Sequence, residues 1–227
     1  MSGASSRRTE RAPSGSNPNA ASLNPWLEER LERFAGAGPV LDLGCGRGYW
    51  MEHLSQRGIG AVGVEREIDR AALAGRHGPV AAGDAAHLPV AAASIGLVWC
   101  LHVLHHLPDL GRALGEVCRV LRPGGTLVLA ETVEDNPLLR AGRRVHDSWD
   151  GVGIHGHFTA RSLLDEVAGA GLEVVEHRQH SLLSFGAWAL PAGIDRRAWL
   201  ALNAIEGRLP PSLNRWGAHL ECVARRP

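Results

Sequence analysis

Short apolar runs alternate with segments of helical periodicity along most of this chain, which is the pattern of a parallel sheet wrapped by helices. Runs at residues 40–43, 61–64, 80–82, 95–101 and 126–130 predict five strands, and runs at 172–176 and 218–224 predict two more. Helices are predicted between them at 49–57, 68–75, 110–121 and 160–170. Ahead of the first strand, Trp26, Leu27, Leu31 and Phe34 recur at helical spacing with charges between them. Asn24 can cap that helix and Gly36 and Gly38 can end it, so it is expected over residues 25–35. Residues 1–24 are rich in Ser, Arg, Asn, Pro and Ala and, past Met1, hold a single large aliphatic residue, Leu23. Such a stretch buries too little to offset its ordering entropy, which predicts a disordered tail ahead of one domain spanning 25–227. Two segments break the alternation, near 134–157 and 182–211, and are expected to be insertions that shape a pocket.

With 227 residues, 44% of them apolar, the chain has material for one sizeable core. All 24 basic residues are arginine and are balanced by 24 acidic ones, and a net charge of zero argues against a broad nucleic-acid-binding face. Cys45, Cys100, Cys118 and Cys222 lie far apart with no CxxC pair, as expected of reduced thiols in a cytoplasmic protein. No stretch approaches the roughly 18 to 20 continuous apolar residues of a membrane helix, and the N-terminus lacks the apolar segment of a signal peptide. The expectation is a soluble protein of the cytoplasm.

The sharpest chemistry lies where the first strand ends. VLDLGCGRG at residues 40–48 is a buried strand running into glycines at alternate positions, Gly44, Gly46 and Gly48, followed by a helix. Glycine there permits a tight turn and close backbone approach, leaving N–H groups aimed at whatever binds. A dinucleotide loop requires its third glycine three residues after the second, and here that residue is Tyr49. Glu65 ends the second strand, where a carboxylate can accept from both hydroxyls of a ribose. Asp84, just past the third strand, is an acceptor suited to the exocyclic amine of adenine. Together these residues predict a site for an adenosine bearing something smaller than pyrophosphate.

Further signatures follow in order: GVE at 63–65, GDAAHLP at 83–89, LHHLPD at 104–109 and VLRPGG at 120–125. With the glycine loop they resemble the class I S-adenosylmethionine-dependent methyltransferases of the small-molecule type, over residues 40–130. The resemblance implies an α/β Rossmann-like fold, with a seven-stranded sheet in the order 3-2-1-4-5-7-6, its last strand antiparallel, and helices on both faces. It also implies S-adenosyl-L-methionine as cofactor. Gly44, Cys45, Gly46 and Gly48 would pass the backbone under the methionyl and ribose part, and Asp42 would support the methionine ammonium. Glu65 would take the ribose hydroxyls, Asp84 the adenine amine, and the Ala85 N–H the adenine ring, with the Cys100 or Leu101 carbonyl facing the ammonium or sulfonium-bearing chain. Carboxylates and carbonyls suit a cationic ligand, as arginines would suit a pyrophosphate.

Methyl transfer from a sulfonium is an in-line displacement with a good leaving group, so alignment supplies much of the acceleration and a general base is optional. His102, His105 and His106 follow the fourth strand, and each could reach an acceptor hydroxyl. His105 and His106 belong to a run common to the family, which equally fits a structural or cofactor-shell role. His146, Trp149, His155 and His157 in the first insertion and Trp188 in the second are candidate acceptor-site residues. No metal site is expected, because no carboxylate or cysteine pattern completes the alternate His155 and His157. Residues 136–149 set Arg140, Arg143 and Arg144 beside apolar side chains, consistent with a pocket lid or with recognition of a phosphate, carboxylate or anionic lipid head group. The Asp/Asn-Pro-Pro-aromatic tetrad of amino-group nucleic-acid methyltransferases is missing, since residues 100–103 read Cys-Leu-His-Val. The expected partner is therefore a small-molecule acceptor. Two alternatives stay open: a cyclisation or decarboxylation that uses the same cofactor, and a non-catalytic binding protein.

Overall fold

The computed structural model describes residues 24–137, 139–140, 158–184 and 195–227. Helix α1 (Pro25–Phe34) starts where Asn24 accepts from the Trp26 and Leu27 N–H groups through its side chain, with Pro25 in the first turn. Strand β1 (Val40–Leu43) follows, then α2 (Tyr49–Gln56), β2 (Ala61–Glu65), α3 (Ile68–Ala74), β3 (Val80–Ala82) and β4 (Ile95–Leu101). Helix α4 (Leu110–Val120), capped by Asp109, leads to β5 (Leu121–Thr132). The chain closes with α5 (Ala160–Gly169), β6 (Glu173–His180), α6 (Asp195–Glu206) and β7 (His219–Arg225).

The seven strands form one sheet in the order β3-β2-β1-β4-β5-β7-β6, parallel except for β7, which runs antiparallel to both neighbours. Period-two alternation sends successive residues of one strand into two separate cores. On β4, Leu97 and Trp99 pack with Trp26, Leu31 and Leu54 of α1 and α2, whereas Val98 and Cys100 pack with Leu114, Val117, Leu163 and Val167 of α4 and α5. All of these are buried, and each such aliphatic side chain stabilises the fold by about 1.5–3 kcal/mol. Strand order reverses between β1 and β4, so the connections leave on opposite sides and open a crevice beyond the carboxyl ends of these two strands.

The sheet departs from the sequence reading at its far edge. β6 runs to His180, four residues beyond the expected end, through the polar stretch Glu176 to His180. Three of those polar groups are matched: Glu176 accepts from the Trp26 indole and pairs with Arg30, while Arg178 and His180 pair with Glu221 of β7. The segment expected as a second insertion contains helix α6, whose Glu206 accepts from the Ser184 N–H and hydroxyl at 3.3 and 2.8 Å. A 3-10 turn at Pro211–Trp216 then leads into β7. The expected tail to residue 23 and most of the first insertion lie outside the described residues.

Candidate functional site

A cavity of about 330 Å3 occupies the crevice at the carboxyl edge. Its walls come from the glycine loop (Leu43, Gly44, Gly46), the end of β2 and the start of α3 (Val64, Glu65, Arg66, Glu67, Arg70), the turn after β3 (Gly83, Asp84, Ala85) and the segment after β4 (His102, Val103, His106, Leu107). Glu65 is held by two backbone donors, the Gly46 N–H on Oε2 and the Glu67 N–H on Oε1, each at 2.9 Å. A carboxylate oxygen accepts more than one hydrogen bond, so this clamp fixes the group and leaves capacity on both oxygens. Asp84 Oδ1 accepts from the Ala86 N–H at 2.9 Å, closing an Asx turn, and the residue lines the cavity.

Two glycines make the loop what it is. At Gly44, with φ +70°, a Cβ would stand 2.4 Å from a Val103 methyl, so the glycine loop and the segment after β4 approach as only glycine permits. At Gly46, with φ +57°, a Cβ would meet nothing within 4 Å, which makes this backbone an open-sided cradle.

Asp42 lies beneath that loop in the middle of β1, paired in register with Trp99 of β4 and Gly63 of β2. It is 3% exposed and its Oδ2 has no hydrogen-bond partner, and the Trp99 indole N–H is likewise buried and unpartnered. Burial, with the charge of Glu65 adding to it, pushes the Asp42 carboxyl up to about 7. Burial also pushes the Cys45 thiol up to about 12 and holds Cys100 well above its ordinary range, so neither is a thiolate at neutral pH.

The segment after β4 is tied down by Glu131, a fully buried carboxylate near the end of β5. Glu131 Oε1 accepts from the Val103 and Leu104 N–H groups at 2.7 and 2.6 Å, and Oε2 lies 2.7 Å from His105 Nδ1. His105 thereby serves the loop's anchor, while His102 and His106 line the cavity. His102 has φ +56°, an unusual conformation for a non-glycine residue, and its N–H donates to the Ala130 carbonyl at 2.8 Å. The residue is exposed to the cavity, yet surrounding protein withdraws it from bulk water strongly enough to outweigh Glu131 and hold its pKa below the usual imidazole range.

Beyond it, rings continue along the carboxyl edge. His219 lies edge-on to His102 at 5.7 Å between centroids and stacks on His180 at 5.4 Å. Burial, and then the neighbouring His180 and His102, hold His219 well below its ordinary value. Glu221 supports the row from below, with its Oε1 3.2 Å from His180 Nε2. Burial alone would raise Glu221, but His180 and Arg178 outweigh it and bring the carboxyl to about 2.

Comparison with known proteins accounts for this arrangement. A family model described as a methyltransferase domain matches residues 19–177. The chain belongs to the methyltransferase-domain family. It is 34% identical over 136 residues to methyltransferase GfsG of Streptomyces halstedii, covering 51% of this chain and 49% of that protein. It is also 34% identical over 128 residues to the 27-O-demethylrifamycin SV methyltransferase of Amycolatopsis mediterranei, covering 49% and 47%. The chain thus spans about half the length of the curated relatives it matches. Among solved structures, the geranyl diphosphate C-methyltransferase of Streptomyces coelicolor, in complex with Mg2+, geranyl diphosphate and S-adenosyl-L-homocysteine, superposes with a TM-score of 0.63 at 18% identity. That alignment covers 91% of this chain and 80% of the other, a likeness of fold.

Of the residues expected at the cofactor, the methyltransferase domain sets Gly44, Gly46, Glu65, Asp84 and Ala85 on the cavity wall. Asp42, Cys45, Cys100 and Leu101 stand behind or beside it, outside that lining. Gly48 is also away from the wall, and a Cβ there would come within 2.6 Å of the Ala74 Cα, so it serves the packing of α2 on α3. His146, Trp149, His155, His157 and Trp188 lie outside the described residues. Sequence reasoning passed over Glu131, Glu221, His180 and His219. An acidic residue inside an otherwise apolar strand was the one available signal for the two glutamates.

Proposed function

We propose that this protein is an S-adenosylmethionine-dependent methyltransferase that acts on oxygen, nitrogen or carbon of a small-molecule acceptor, in secondary metabolism. The observation that carries the reading is the clamped Glu65 carboxylate in a cavity that also holds Asp84 and the open-sided Gly46 backbone. Glu65 would accept from the two ribose hydroxyls with the capacity its backbone donors leave. Asp84 and the Ala85 N–H would meet the adenine, and the glycine loop would pass under the methionyl chain. The bound cofactor supplies an electrophilic methyl group on a sulfonium. This ligand carries two positive centres and one carboxylate, and the wall offers it Glu65, Glu67 and Asp84 together with Arg66 and Arg70.

His102 and His106 line the same cavity and would face the acceptor. A His102 imidazole that is neutral near pH 7 can take the proton an acceptor hydroxyl sheds as its oxygen gains the methyl group. His105 is a positioning residue in this scheme, since its Nδ1 is committed to Glu131. The name of one matching relative, 27-O-demethylrifamycin SV methyltransferase, supports the choice of methyl transfer and of a natural-product acceptor.

Calorimetric titration of the purified protein with S-adenosylmethionine tests the reading. Micromolar binding is expected, weakened at least about tenfold by Glu65→Ala through loss of one charge-assisted hydrogen bond or more. Absence of binding by the parent protein would overturn it.

A further inference from the structure

Asp42 is a costly residue for a strand centre. Its neighbours across the sheet are Trp99 and Gly63, and the Trp99 ring packs edge-on against Trp50 at 4.9 Å. A carboxylate in such surroundings is normally paired, yet Oδ2 has no partner and is shielded from solvent. Among the described residues, the titratable groups packed around it give it no cation. β2 brings Glu65, the glycine loop Cys45 and β4 Cys100. Helix α2 carries Tyr49, Glu52 and His53, and the two nitrogens of His53 are engaged by Glu28 and Arg57 at 2.9 Å each. Arg30 of α1 is paired with Glu29 and Glu176.

Arg66 and Arg70 also line the cavity, with Arg70 paired to Glu67 at 3.0 Å, but the charge that acts on the Asp42 carboxyl is that of Glu65, so the cation it lacks is one a ligand can bring. Asp42 is two residues from Gly44, which lines the cavity where a methionyl chain would lie. We infer that Asp42 is protonated in the ligand-free protein and releases its proton when the cationic methionyl end of the cofactor enters, so that cofactor binding and proton release are one event. The inference rests on the S-adenosylmethionine reading above and adds to it a coupling that the neighbouring acids make necessary. Glu65, clamped by its two backbone donors, sets one carboxylate beside Asp42, and a cation arriving in this space favours the ionised form of the second. The sulfonium and the ammonium supply that charge. Burial, with Glu65 adding to it, sets the range in which the coupling operates, because it places the free carboxyl near neutrality.

The linkage has a definite sign. A cation favours the ionised form, so binding lowers the proton affinity of Asp42 and protons leave. Affinity therefore rises with pH, by up to about tenfold per unit, until Asp42 is ionised in the free protein, and it levels off above about pH 7. The test is calorimetry on the full chain with S-adenosylmethionine between about pH 5.5 and 7.5. Each pH is run in buffers of different ionisation enthalpy, which counts the protons released. 5′-Methylthioadenosine is the second probe, because it shares the adenine and ribose but carries neither positive centre.

The expected result is release approaching one proton per S-adenosylmethionine bound near pH 6, falling toward none by pH 7.5, with little release for 5′-methylthioadenosine. Asp42→Asn should abolish the difference between the probes. His102→Gln should preserve it, which excludes the cavity histidine as the source. Equal proton counts for the two probes in the parent protein would overturn the inference, whether or not Asp42→Asn folds. Equal release by wild type and a folded Asp42→Asn would also overturn it. Failure of S-adenosylmethionine to bind at any pH would instead remove the cofactor reading on which it stands.

Discussion

Glu65 and Glu131 are both buried carboxylates with two backbone N–H donors, and what differs is what remains for them to do. Glu65 stands on a cavity wall with acceptor capacity left, whereas Glu131 spends its second oxygen on His105 and has no exposure. Glu131→Ala strands the Val103 and Leu104 amides and leaves His105 without its partner, so it is expected to destabilise the fold by about 3–5 kcal/mol. The midpoint of urea unfolding reads this directly, and a loss below about 1 kcal/mol would mean that water replaces the carboxylate. The two residues were also unequally legible. Glu65 and Asp84 each follow a strand at the spacing a nucleoside site requires, so local pattern exposed them. Glu131 acts on residues 26 to 28 positions upstream, which only the pairing of β4 with β5 brings near.

At the scale of elements, the glycine loop joins two different requirements that alternate spacing makes look alike. Gly46 and Gly48 both have positive φ, but only Gly48 has a neighbour in the way, the backbone of α3 at Ala74. Gly46→Ala should cost about 1–2 kcal/mol through its left-handed backbone alone. Gly48→Ala carries that cost and must also push α2 from α3, so its melting temperature should fall further below the parent's than that of Gly46→Ala, by several degrees. Equal shifts would show that the contact relaxes at little cost. The same dependence on neighbours explains which elements were readable. β1, β4 and residues 126–130 of β5 are apolar at most positions and announce themselves, because those apolar side chains enter one core or the other. The outer half of β6 reads as a polar loop until Trp26, Arg30 and Glu221 are placed opposite its charges. Helix α6 was hidden for a related reason: its glutamate caps a turn 22 residues away, and its apolar residues Leu200 and Ile205 are exposed rather than gathered into a core-facing stripe.

For the molecule as a whole, stability as a function of pH is set by a few buried groups with opposite signs. Glu221 is depressed to about 2, so its contribution is fully present above its unfolded value of 4.5 and is lost as pH falls from there toward 2. His102, at the cavity, and His219, buried, both have lowered values, so unfolding takes up protons below the ordinary imidazole value and stability is lost as pH falls through that range. Asp42 works the other way. Its carboxyl is raised from 3.8 to about 7, so the folded state holds a proton that the unfolded chain has shed, and stability falls as pH rises between those values. That rise corresponds to about 4 kcal/mol, an upper figure because relaxation and water entry reduce it. Asp42→Asn removes this term and keeps the shape of the side chain. The variant is therefore expected to be more stable than the parent at pH 8, by on the order of 2–4 kcal/mol. The gap should shrink steadily toward pH 4, where the parent's carboxyl is protonated in the folded state and about 40% protonated in the unfolded one. Denaturant unfolding of both proteins at intervals from pH 4 to 8 checks this, and a gap that does not change with pH would show that Asp42 titrates in its ordinary range. A pH-dependent gap, together with weaker S-adenosylmethionine binding by the more stable variant, would identify Asp42 as a residue kept for its ligand at the expense of the fold.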